Sequence, residues 1–166
     1  MKFAAATATL CVTTLCAAFL PSPAHAAGEP TIERLVSCQE SWLDWADNPA
    51  RGKKFVDGLH ATYKEQPDGG YLVPKARETL FGLPVARIYL DSVGMGVGFS
   101  VAVNGSFDDA KKAVEKATGK TLKCEAGSDE VRACQIELGP KRTVMVAADP
   151  EGSTAPLIGC FYYYEK

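Results

Sequence analysis

The spacing of apolar positions divides the chain into a helical start and a strand-rich remainder. Over residues 31 to 47, Ile32, Leu35, Val36, Trp42, Leu43 and Ala46 recur near helical spacing while Glu33, Glu40 and Asp44 face away, which predicts a helix. Asn48-Pro49 ends it and opens another, because Asn caps a helix and Pro fits its first turn. Phe55, Val56, Leu59 and Tyr63 form the stripe of this second helix, and the turn-favouring run from Gln66 to Gly70 stops it. From Tyr71 the period becomes two. Val85 to Leu90 reads as a strand, and Gly96 to Val103 is the clearest one, with Val97, Phe99, Val101 and Val103 on one face and Gly96, Gly98, Ser100 and Ala102 on the other. Ser106 opens a third helix with Asp109 in a capping-box arrangement; Phe107, Ala110, Val114 and Ala117 form its stripe, and Gly119 closes it. Strands follow near 121–125, 132–138, 143–148 and 157–164, with a turn at Gly139-Pro140-Lys141-Arg142. The expected fold is α+β: an N-terminal helical hairpin and one further helix packed on an antiparallel sheet, in the order ααββαββββ.

The pattern before residue 27 is of another kind. Lys2 is followed by residues 4 to 20 without a charge, then Pro21-Ser22-Pro23 and the small-residue site Ala24-His25-Ala26. This is the order of a secretory signal peptide. The expectation is a cleavable leader over 1–26 and a single domain over 27–166, periplasmic or extracellular, with a bacterial character suggested by the short Ala-rich leader. The apolar run is slightly short and diluted for a membrane span, which needs about 20 apolar residues. No stable membrane anchor is expected after cleavage.

That leader changes the chemistry left behind. The full chain has 18 basic and 20 acidic residues, and loss of Lys2 leaves 17 basic against 20 acidic. Such a balance provides no electrostatic drive toward nucleic acid or an anionic membrane. Of six cysteines, Cys11 and Cys16 leave with the leader, so Cys38, Cys124, Cys134 and Cys160 remain. An even set in an exported chain reads as two disulfides, and four cysteines allow three pairings. Closing the turn-rich run Glu125–Glu130 by Cys124–Cys134 is the simplest arrangement, which leaves Cys38 for Cys160. Chain entropy makes the short loop worth about 3 kcal/mol and the long one about 5 kcal/mol. Zinc is disfavoured, because no C-x-x-C pair occurs and His60 is the one histidine outside the leader.

Candidate sites are few. Gly94-Met95-Gly96-Val97-Gly98 has the look of a phosphate loop but leads into a strand, whereas such loops open a helix. The small-residue face is the more specific candidate: Gly96, Gly98 and Ser100 would floor an open surface walled by Phe161 and Tyr163. Trp42 and Trp45, three apart on the first helix, either anchor a partner or pack in the core, and the core is favoured because Cys38 lies on the same side. Lys53-Lys54, Lys111, Lys112 and Lys116, and Lys141-Arg142 read as solvated faces. The loop with Glu125, Asp129, Glu130 and Arg132 is a rigid, charged recognition candidate, though plain surface is the better reading. No G-x-S-x-G elbow or H-E-x-x-H motif occurs, and Asp108/Asp109 or Glu125/Asp129 have nothing to mark them as catalytic. No catalytic, cofactor or metal residues are assigned.

In size, expected compartment and disulfide-bounded loop the chain is similar in kind to bacterial periplasmic lysozyme inhibitors; no motif carries that likeness, and no residue is transferred on it. The expected function is a small exported binding protein, in the manner of an inhibitor or immunity-type protein, whose partner is another protein or an envelope component. The alternatives are an envelope enzyme using carboxylates or tyrosines, and a structural accessory of the cell envelope.

Overall fold

The computed structural model describes residues 30–43, 48–67, 70–90, 97–124, 132–139, 141–148 and 155–162. The expected leader, Trp45, Gly96, the 125–130 run and Tyr163 lie outside these residues. The described helices are α1 (Ile32–Val36), α2 (Pro49–Thr62) and α3 (Phe107–Thr118). The described strands are β1 (Tyr63–Glu65), β2 (Tyr71–Pro74), β3 (Thr79–Leu80), β4 (Leu83–Tyr89), β5 (Val97–Val103), β6 (Lys123–Cys124), β7 (Ala133–Glu137), β8 (Arg142–Ala147) and β9 (Leu157–Tyr162). They form one antiparallel sheet in the order β1-β2-β4-β5-β9-β8-β7-β6, with β3 paired to β4 beside this path. The fold is therefore α+β and mostly sheet.

Two expectations change. Five strands, not two, precede α3. The additional ones are β1, which continues directly from α2, β2, and β3, which forms a hairpin with β4 through the two-residue loop Phe81-Gly82 with φ of 51° and 85°. Positive φ at both positions matches the twist of the flanking strands. The first helix, expected over 31–47, ends after Val36. The Ser37 hydroxyl donates back to the Glu33 carbonyl at 2.6 Å, and Cys38 takes φ 55°. A helix does not continue through a residue in the left-handed region. The Arg34 carbonyl instead accepts from the N–H groups of Gln39 and Glu40.

α2 and α3 follow their local signals. Asn48 accepts from the Arg51 N–H, with Pro49 in the first turn. Ser106 and Asp109 form a reciprocal capping box, and Gly119 closes α3 at φ 66°.

The core lies between the helices and one sheet face. Leu35, Val36, Phe55, Leu59, Ala110 and Val114 pack on Phe99, Val101, Val103, Ile88, Val144, Val146 and Ile158. The disulfide Cys38–Cys160 crosses this layer, joining the segment after α1 to central strand β9. Cys124–Cys134 joins directly opposed residues of β6 and β7. No described helix is long and apolar enough to cross a membrane.

Candidate functional site

Pairing register decides what stands on the other sheet face. In β4, Val85 opposes Val103 but Arg87 already opposes Ala102, so Ala86 is the extra residue of a bulge. The bulge turns the side-chain alternation over. Val85 and Ile88 both reach the core, while Arg87 and Tyr89 share the far face with Ala102 and Ser100. Tyr71 of β2 opposes Tyr89, and Val73 opposes Lys64 of β1.

These residues form a contact set. The Arg87 guanidinium carbon lies 4.8 Å from the Tyr71 ring centre, and Arg87 Nη1 donates to Tyr89 Oη at 3.4 Å. The two tyrosine rings are 5.8 Å apart and tilted by 53°. Tyr89 packs with Ala102 and Leu157, with Tyr71, Ala86 and Ala155 against them. No residue of a described helix belongs to this cluster. Tyr71, Val73 and Arg87 are half-buried and Lys64 is exposed. The sequence reading missed this cluster. Tyr71, Arg87 and Tyr89 were visible as residue types in strand-like stretches, but the bulge that assembles them leaves no pattern in one sequence.

The small-residue floor lies next to it, and it is not an open surface. Gly98 is buried, Ser100 and Ala102 are fully buried, and Phe161 is 6 % exposed. A Cβ on Gly98 would overlap the Cys160 carbonyl oxygen, and one on Gly159 would lie 2.9 Å from the Phe161 ring and 2.8 Å from Ser100 Cβ. Phe161 thus lies over a glycine rather than beside a groove, an aromatic shielding of bare backbone. The buried Ser100 hydroxyl has no hydrogen-bond partner among the described residues.

Trp42 belongs to the core and is no surface anchor. It is 6 % exposed, with its ring 5.8 Å from Phe55 and 5.5 Å from Phe99. Its backbone N–H donates to Tyr162 Oη at 3.2 Å, and that hydroxyl donates to the Glu40 carbonyl. Arg132, at the base of the disulfide-bounded loop, reaches Asp108 at 2.7 Å and lies 4.3 Å from the Phe107 ring centre.

The described carboxylates with shifted titration do structural work. The Ser106 hydroxyl and N–H hold Asp109 below the usual carboxylate range, with a smaller contribution from Lys112. Lys111 and the Leu122 N–H do the same for Glu115. The latter bond, at 2.9 Å, draws the chain before β6 toward α3. A hollow of about 400 Å³ lies beside it, lined by Thr121, Lys123, Gln135, Ile136 and Glu137. Tyr63 is pushed up to about 12 by burial, with Glu78 and Glu33 adding to the shift. Among the described residues no group of three or more His, Cys, Asp or Glu is placed to hold a metal ion.

No protein-family model matches the chain, no curated protein matches it, and no solved structure matches it.

Proposed function

We propose that the chain is exported by its N-terminal leader and acts as a small binding protein of the bacterial envelope or exterior, holding another protein in the manner of an inhibitor or immunity-type protein. The observation that carries this reading is the Tyr71–Arg87–Tyr89 cluster, on the sheet face opposite the described helices. Tyrosine and arginine are the residue types, with tryptophan, that dominate interface energetics. Holding Arg87 across the Tyr71 ring also limits the side-chain freedom lost on binding. Two disulfides suit an oxidising compartment, where such bonds form and persist.

The test uses protein recovered from expression of the full chain. Amino-terminal sequencing should find Ala27 as the first residue, and an intact Met1 would remove the leader from the reading. The oxidised protein is then used as bait in envelope and culture-supernatant fractions, beside a Tyr71→Ala/Arg87→Ala variant of matched thermal stability. A partner retained by the parent and lost by the variant supports the proposal. A partner held equally by both displaces the site, and recovery of none across several growth states removes the binding reading.

A further inference from the structure

The sheet ends on a strand that is held mainly by sulfur. β6 is two residues long, and it meets β7 at Lys123 with Gln135 and at Cys124 with Cys134. Two bonds fix how β7 is turned. The Leu138 N–H donates to the Arg142 carbonyl, and the Ala148 N–H donates to the Arg132 carbonyl. Arg132 and Leu138 therefore turn these main-chain groups toward β8, and alternation assigns Cys134 and Ile136 to the same side. Gln135 turns its own the other way, toward β6. Gln135 and Lys123 are thus a hydrogen-bonded pair, whereas Cys124 and Cys134 are a non-hydrogen-bonded pair joined by their disulfide. By contrast, β7 is paired with β8 over its whole length, Ala133 to Glu137.

The bond is open to attack from one side. Cys124 is exposed, whereas Cys134 is fully buried in the core cluster. The chain just before β6 is anchored independently: Leu122 is buried, and its N–H donates to the Glu115 carboxylate at 2.9 Å. We propose that Cys124–Cys134 is a redox-sensitive clasp on the sheet edge, opened by a dithiol donor, whose release frees β6 and makes β7 the edge strand. A thiolate of the donor attacks Cys124 Sγ. The bond to Cys134 Sγ breaks, and Cys134 leaves as a thiolate that takes up a proton. The donor's second thiol then displaces Cys124 Sγ, which is protonated in turn, and the donor closes its own disulfide. Two electrons and two protons pass from donor to protein. A single hydrogen-bonded pair does not keep a two-residue strand in place, because so short a pairing is marginal in water. The N–H and C=O of Gln135 are then uncovered, where β6 had blunted the edge. The buried Cys38–Cys160 bond and the β7–β8 pairing hold the remainder.

The experiment follows single amides by hydrogen exchange in NMR. It uses oxidised protein recovered from expression of the full chain, before and after a dithiothreitol treatment that mass spectrometry shows to free two thiols. Reduction should speed exchange at Gln135 and Lys123 by at least about tenfold. Ile136, turned toward β8, and Leu122, bonded to Glu115, should stay slow. Removing the reductant should restore the slow rates at Gln135 and Lys123. Cys124→Ser/Cys134→Ala should show the reduced pattern with no reductant present. Unchanged exchange at Gln135, in the reduced parent or in the folded variant, overturns the proposal, because β6 then stays paired without sulfur. Loss of protection at Ile136 together with Gln135 overturns it too, since reduction would then unfold the domain. So does a bond that resists the dithiol until denaturant is added.

Discussion

Gly98 is required by its neighbours more than by its own backbone freedom. The overlap of any Cβ with the Cys160 carbonyl leaves no soft atom to move aside. Gly98→Ala should therefore cost about 1–3 kcal/mol, the usual range for overpacking, and more if the β5–β9 pair must shift. A urea titration would show it, and an unchanged midpoint would contradict the packing described. Ser100 should behave in the opposite sense. Its buried hydroxyl makes no hydrogen bond among the described residues, so Ser100→Ala should leave stability unchanged or raise it by up to about 1 kcal/mol. A loss larger than that would mean the hydroxyl is engaged. Tyr63 offers a titration readout. Its folded pKa lies above the ordinary value of 10.0, at about 12, so the unfolded chain ionises first as pH rises. Stability from the neutral phenol is complete below pH 10 and is lost as pH climbs toward 12. Tyr63→Phe should flatten that part of the curve; identical losses in both proteins between pH 9.5 and about 11.5 would assign the loss elsewhere.

Among the elements, α3 was the most legible and the segment after α1 the least. Ser106, Asp109 and Gly119 act through bonds within a few residues, so local sequence suffices to place them. Ser106→Ala should lower stability by about 1 kcal/mol, or roughly 3 °C in melting temperature. The Asp109 contribution should persist above its ordinary carboxylate pKa and fade as pH falls through the lower folded value. A melting profile from pH 7 to about 2.5, parent against variant, checks both. α1 ends early for a non-local reason: Cys38 must meet Cys160, and Trp42 must meet Tyr162, 122 and 120 residues away. Helical periodicity through Ala46 carries no trace of those demands. The β4 bulge is similar, since Val85-Ala86-Arg87-Ile88-Tyr89 alternates acceptably in either phase and only pairing with β5 chooses one.

At the scale of the molecule, two devices close the sheet. The edges are short, three residues in β1 and two in β6, which limits pairing with other chains. The disulfides differ in access. Cys38 and Cys160 are 3 % and 0 % exposed, whereas Cys124 is exposed. Thiol attack needs access to sulfur, so mild reductant should open Cys124–Cys134 first while the core bond persists. Alkylation at graded dithiothreitol concentrations, read by mass spectrometry, should show two cysteines labelled before the other two. Simultaneous labelling of all four would mean that reduction requires global unfolding. Cys38→Ala/Cys160→Ala should cost about 5 kcal/mol, enough to threaten folding at 37 °C.

Alternation, capping residues and cysteine placement determined by themselves that this chain folds as helices on an antiparallel sheet, and they favoured the cysteine pairing found. These signals are local: each depends on a few neighbouring side chains and on the two periods of regular backbone. Which face each strand presents was decided only in three dimensions. One extra residue in β4 exchanges core and surface for everything beyond it, and the bare floor of Gly98 and Gly159 is filled by Phe161 instead of left open. The candidate site therefore lies at Tyr71, Arg87 and Tyr89, because pairing between distant strands brings them together on one face.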